Sequence, residues 1–163
     1  MRFGGIVLAT ALILGACSSD PAPKEPDAPA PTTSSTPTIA VPTMPAQASE
    51  DSPEGAAAFV KHYVDVFNYA AATGDVEELT KIATKCASCN AYAEDFKHMD
   101  AEQRPTSRDA WTLSNISVAS DEESVQVAGD IEALNDSASP YKLTFILPPG
   151  PPHTVLDVVD RGR

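Results

Sequence analysis

The feature that most constrains the fold is a change of hydrophobic period at Pro105. Before it, apolar residues recur every three or four positions. Phe59, Tyr63, Phe67 and Ala70 keep that spacing, and Val60 and Val64 widen the stripe. Tyr92, Phe96 and Met99 repeat it further on. After Pro105 the period is two. Trp111 and Leu113 alternate, then Ile116 and Val118 alternate in the opposite phase. Val125, Val127, Gly129, Ile131 and Ala133 share one strand face, with Gln126, Asp130 and Glu132 on the other. The longer period buries one stripe of a helix; the shorter one buries one face of a strand. Helices followed by strands on short turns read as α+β with an antiparallel sheet.

Punctuation residues place the elements. Ser52 and Pro53 suit the N-cap and first turn of a helix that Gly74 stops after Thr73. Asp75 opens a second helix, with Glu78 completing a capping-box-like start and an end near Lys85. A third helix is predicted from about Ser88 to Gln103, terminated by Pro105. In the first strand, the slip of phase at Ser114-Asn115 predicts a bulge or bend. Tyr141 to Leu147 reads as a strand. The connector Pro148-Pro149-Gly150-Pro151-Pro152 follows, and then a last strand from Thr154 to Val159. The N-terminal helices are expected to cover one face of a curved sheet.

What precedes the helices bounds the folded part. Ser18 to Ser52 carries eight prolines and no aromatic residue. Such a stretch buries too little apolar area to offset chain entropy, and reads as an extended, disordered spacer. Its 35 residues reach at most roughly 110 Å in polyproline form. Further upstream, Ile6 to Leu14 is an almost wholly apolar run of nine residues, too short for a bilayer core of about 30 Å but the size of a signal-peptide core. Leu14-Gly15-Ala16-Cys17 then resembles the lipobox of bacterial lipoproteins. The resemblance implies cleavage before Cys17 and a diacylglyceryl thioether on its sulfur. It also implies an anchor in the cell membrane, facing the extracytoplasmic side. The expected organisation is a signal peptide over 1–16, a lipidated Cys and tether over 17–52, and an α+β domain over 53–163. With Cys17 taken by lipid, Cys86 and Cys89 remain as a pair, which in an exported protein suggests a disulfide.

Charge narrows the partners. The chain carries 23 acidic and 11 basic side chains, a net −12. Such a balance argues against nucleic acid and against wide contact with anionic lipid.

A second resemblance rests on Glu54-Gly55-Ala56-Ala57-Ala58-Phe59-Val60, Tyr63, Phe67-Asn68-Tyr69-Ala70, Thr73-Gly74-Asp75, Cys86-Ala87-Ser88-Cys89 and Tyr92. These residues resemble an uncharacterised family of Gram-positive bacterial lipoproteins with a helical C-x-x-C motif. That family is similar in fold to the nuclear transport factor 2-like superfamily, a cone of curved antiparallel sheet closed by helices. The resemblance spans about Pro53 to Val159 and implies a cone-like domain without an assigned activity.

Three sets of residues are candidates for chemistry. Cys86 and Cys89 read as a structural disulfide pinning the second helix to the third, or as a redox dithiol. Proximity to a helix N-terminus lowers a thiol pKa, although thioredoxin-like chemistry wants a strand where this chain has a helix. Zinc would need two further ligands, and the three histidines do not cluster. Tyr63, Phe67, Tyr92, Phe96 and Trp111 would line the interior of a cone, as a pocket for a small apolar ligand or simply as core. Glu94 and His98, with Asp95 and Asp100 nearby, sit where a carboxylate–imidazole pair binds metal or exchanges protons, or where a helix faces solvent. His62, Asp65 and Asp109 are the inward-looking acids and bases that an enzyme would use.

No phosphate loop, nucleophile elbow or calcium loop is present. The expectation is a membrane-anchored envelope lipoprotein presenting a non-catalytic domain that binds an envelope protein or a small apolar ligand, without metal or cofactor. The alternatives are a cone-fold isomerase or hydrolase, and a thiol-redox protein.

Overall fold

The structure, a computed structural model, describes residues 39–106 and 109–162. The apolar leader, Cys17 and the tether as far as residue 38 lie outside the described residues. Three helices precede four strands: α1 Pro53–Thr73, α2 Glu77–Ile82, α3 Ala87–His98, β1 Trp111–Ser120, β2 Val125–Ala133, β3 Tyr141–Leu147 and β4 Asp157–Asp160. The strands pair in sequence order as an antiparallel meander with β1 and β4 at the edges. The architecture is α+β, as the change of period predicts.

Helix α1 begins and ends where the sequence places it. The Ser52 hydroxyl accepts from the Gly55 amide at 3.0 Å, satisfying one of the free donors of the first turn. Gly74 closes the helix in the left-handed region at φ 75°, where a side chain would be strained and would also strike the Arg104 guanidinium. Phe59, Tyr63 and Phe67 are buried along one stripe. They meet the sheet face that carries Val127, Ile131 and Phe145, so the core lies between α1 and the inner face of β1–β3. Tyr63 and Phe145 are in edge contact at 5.6 Å.

Four local expectations are corrected. The helix expected from Asp75 to about Lys85 is the six-residue α2. Asp75 stands outside it, its carboxylate accepting from the Tyr69 hydroxyl at 2.9 Å and the Glu77 amide at 3.2 Å. Glu78 pairs with Lys81 rather than closing a capping box. Helix α3 stops at His98 rather than Gln103, because Met99 turns extended (ψ 130°) and packs against the core. The last strand starts at Asp157 rather than Thr154. Thr154 and Val155 instead donate to the Ile82 carbonyl, at 2.8 and 2.9 Å, at the open end of α2.

The fourth correction concerns the tether. Its last residues are part of the folded unit. Ala46–Ser49 form a 3-10 turn, and Ala48 is buried in the core. The Glu50 carbonyl faces the His153 ring at 3.4 Å. Gly55 lets this strap lie against α1, since a Cβ there would collide with that same carbonyl. The expected slip in β1 is present: the register shifts between Ser114 and Ser117, with Asn115 at φ 50°.

Candidate functional site

A cleft of about 380 Å³ opens between the helices and the inner face of the sheet. Tyr63 on α1 and Cys89 and Tyr92 on α3 form its helical wall. Ile131, Leu143 and Val158 contribute from three successive strands, because each points to the inner face in the observed register. Trp111 closes one side, and Tyr141, Asp136 and Asp160 complete the lining.

The position of Trp111 is set by α1. Asn68 is buried, and its carboxamide bonds both backbone groups of Trp111, donating to the carbonyl at 2.8 Å and accepting from the amide at 2.8 Å. Phe67 stacks on the indole with centroids 3.9 Å apart. Phe96 supports Phe67 from behind at 4.9 Å. Tyr92 meets the indole nearly at right angles, 79° and 5.7 Å, and is 44% exposed. Of the five aromatic candidates, Tyr63, Tyr92 and Trp111 therefore line the cleft, while Phe67 and Phe96 form the packed layer that fixes them.

Tyr63 is 1% exposed. No hydrogen bond among the described residues holds its hydroxyl, yet that oxygen is not among the sealed, unpartnered polar atoms. The residue lines the cleft. Burial, with a smaller contribution from Tyr92, pushes its pKa well above the ordinary phenol value, so it stays a neutral donor and acceptor. On the strand side, the Tyr141 hydroxyl donates to Asp136 at 2.5 Å. Asp136 also accepts from the Ala138 amide at 2.8 Å, and Asp160 from the Gly162 amide at 2.7 Å.

The sulfurs of Cys86 and Cys89 lie 2.00 Å apart as a disulfide. Cys86 is also the N-cap of α3, its sulfur accepting from the Cys89 amide at 3.1 Å. Both residues are buried. Glu94 and His98 meet at 3.4 Å in open solvent, with Lys97 on the same carboxylate. Among the described residues no group of three or more His, Cys, Asp or Glu is placed to hold a metal ion.

The three acid–base candidates do not converge. His62 is buried, with neither ring nitrogen hydrogen-bonded among the described residues, and lies outside the cleft. Asp65 and Asp109 are exposed and line a separate, shallower depression of about 390 Å³ beside Lys61 and Asn68. The expectation that all three look inward is thus corrected to His62 alone.

Sequence reasoning missed Tyr141, Asp136 and Asp160. The inward phase of Tyr141 with Leu143 was a readable signal. The two aspartates sit in a turn and at a strand end, where alternation carries no information.

No curated protein and no solved structure matches the chain. Among the described residues no helix is long and apolar enough to cross a membrane. A family model does match, over residues 28–144, which is more than half of the sequence. The chain belongs to DUF6318, a family of unknown function.

Proposed function

We propose that this chain is an envelope lipoprotein, anchored through lipid on Cys17, whose α+β domain binds a small, largely apolar ligand in the Tyr63–Tyr92–Trp111 cleft. The observation that carries the reading is the cleft itself: a concave space walled by aromatic and aliphatic side chains with a few polar groups, the usual make-up of a small-molecule site. The Leu14-Gly15-Ala16-Cys17 sequence and the proline-rich stretch after it support the anchor and the stand-off from the membrane. A nuclear transport factor 2-like cone is the finer fold we propose. Its support is a bulged antiparallel meander with helices over one face and a cleft between them. The domain acts by sequestering or presenting its ligand.

Trp111 is the only tryptophan of the chain, so its emission reports on the cleft alone. Titration with the neutral dye N-phenyl-1-naphthylamine is expected to quench that emission saturably. Val158→Trp, which fills the cleft from the edge strand, is expected to abolish binding, followed through dye fluorescence. Quenching that does not saturate, or that survives the filled cleft, counts against a binding domain. For the anchor, Cys17→Ala is expected to move the protein from the membrane fraction to the soluble fraction; continued membrane partitioning would refute it.

A further inference from the structure

We propose that the Cys86–Cys89 disulfide is a site of thiol–disulfide exchange reached through the cleft, with Cys89 as the sulfur attacked and Cys86 as the sulfur that leaves. Whatever fills the cleft then shields the bond. The inference goes beyond the ligand-binding reading and needs only the cleft.

The two half-cystines are not equivalent. Cys86 is 0% exposed and is absent from the described lining of the cleft. Cys89 is 2% exposed and belongs to that lining, with Ser88 and Tyr92 of the same helix. Exchange needs access to one of the two sulfurs. Bulk solvent has almost none, so the cleft side of Cys89 is the approach that remains.

The leaving side is already prepared. The Cys86 sulfur caps α3 and accepts from the Cys89 amide at 3.1 Å. A disulfide sulfur carries no hydrogen, so the Ser88 hydroxyl is the donor in its 3.4 Å contact with that same atom. Both donors, at the N-terminal end of a twelve-residue helix, stabilise a thiolate there. A better-stabilised thiolate leaves faster.

The co-reactant is a small dithiol, and with it the exchange balances. One thiolate attacks the Cys89 sulfur. A mixed disulfide forms, the Cys86–Cys89 bond breaks, and Cys86 departs as a thiolate. The second thiolate then attacks the dithiol's own sulfur in the mixed disulfide, closing a cyclic disulfide and releasing Cys89. Two electrons pass to the protein, and the protons lost by the dithiol end on the two cysteines. Burial keeps the reaction slow.

The test uses the full chain with Cys17→Ala, which removes the remaining cysteine, and dithiothreitol in excess. Freed thiols are alkylated and counted by mass. Reduction is expected to be slow, first order in dithiothreitol, and unchanged by urea kept below the unfolding transition. Val158→Trp, and separately saturating N-phenyl-1-naphthylamine, are each expected to slow it about tenfold, because the rate follows access. With the monothiol 2-mercaptoethanol, the trapped adduct is expected on Cys89, read by fragmenting the peptide that holds both cysteines. A rate that climbs with urea, as opening of the whole domain would give, would overturn the inference. So would a rate that ignores the filled cleft, an adduct on Cys86, or no reduction at all. Slowing by Val158→Trp but not by the dye supports the exchange route and counts against the ligand-binding reading.

Discussion

Asn68 gives β1 what a neighbouring strand would otherwise give its first residue: one donor and one acceptor, both at 2.8 Å. Buried backbone groups left without partners cost about 1–3 kcal/mol each. Asn68→Ala strips two at once and is expected to destabilise the domain by about 3 kcal/mol, seen as a lower urea midpoint with a red-shifted Trp111 emission. Asn68→Asp keeps the acceptor and loses the donor, so it should fall between the two. None of this was legible beforehand, since periodicity reads apolar positions and a carboxamide on a buried stripe looks like an interruption.

His62 has the opposite character, being buried without a partner for either nitrogen among the described residues. Burial lowers its pKa, with Asp65 and Glu78 pulling it part of the way back. The folded state then resists a proton that the unfolded chain takes up below its ordinary value of about 6.5. Stability contributed by neutral His62 is therefore complete above that value and declines as pH falls toward the lowered folded pKa. His62→Leu is expected to flatten the dependence of Tm on pH between about 6.5 and 5. An equally steep slope in the variant would show that His62 does not set it.

At the scale of elements, the bulge in β1 was the most readable detail. Two alternations of opposite phase cannot share one straight strand, so an extra residue had to fall between Leu113 and Ile116. Asn115 supplies it at φ 50°, and its side chain donates to Asp130 at 2.8 Å. That bond, followed by the one from Lys142, holds the Asp130 carboxyl below the usual range. Asn115→Gly is expected to be tolerated, whereas Asn115→Val forces a β-branched residue into the left-handed region and should cost about 2 kcal/mol, measured by denaturant unfolding.

Helix lengths were less readable, for a common reason: tertiary partners ended the elements. Ile82 and Thr154 are 72 residues apart in the chain, and no local pattern announces that one will cap the other. The strap at Ala46–Ser49 escaped notice in the same way, because its composition is that of the tether and only Ala48 enters the core. At the start of α3, the Cys86–Cys89 disulfide ties the N-cap to the first turn, joining residues three apart. Replacing both with Ala is expected to cost about 2 kcal/mol, since the loop they close is so small. Because both sulfurs are buried, the native domain should resist mild reductant. Rapid, reversible reduction without unfolding, followed by thiol labelling, would revive the redox reading.

For the whole molecule, the class of fold was legible and the rim of the cleft was not. A change of period states that helices precede strands. The aromatic set could be named because helical spacing gathers Tyr63, Phe67, Tyr92 and Phe96. The cleft, however, is closed by Asp136, Tyr141 and Asp160, which only the meander brings opposite Tyr63. In register, Trp111 faces Ala133, Ile131 faces Tyr141, and Leu143 faces Asp160, so the cleft belongs to one end of the sheet. Ser120, Val125 and Leu147 mark the other end.

The strap docks at that other end, where Asp51 and Ser52 share a shallow hollow with Ser120, Val125 and His153. The nine residues of β2 separate the two ends by roughly 27 Å. A tension applied along the leading segment would thus first load Ala48 and the Ser52 cap, leaving the aromatic corner slack. Release of the strap would therefore leave the lining of the cleft in place.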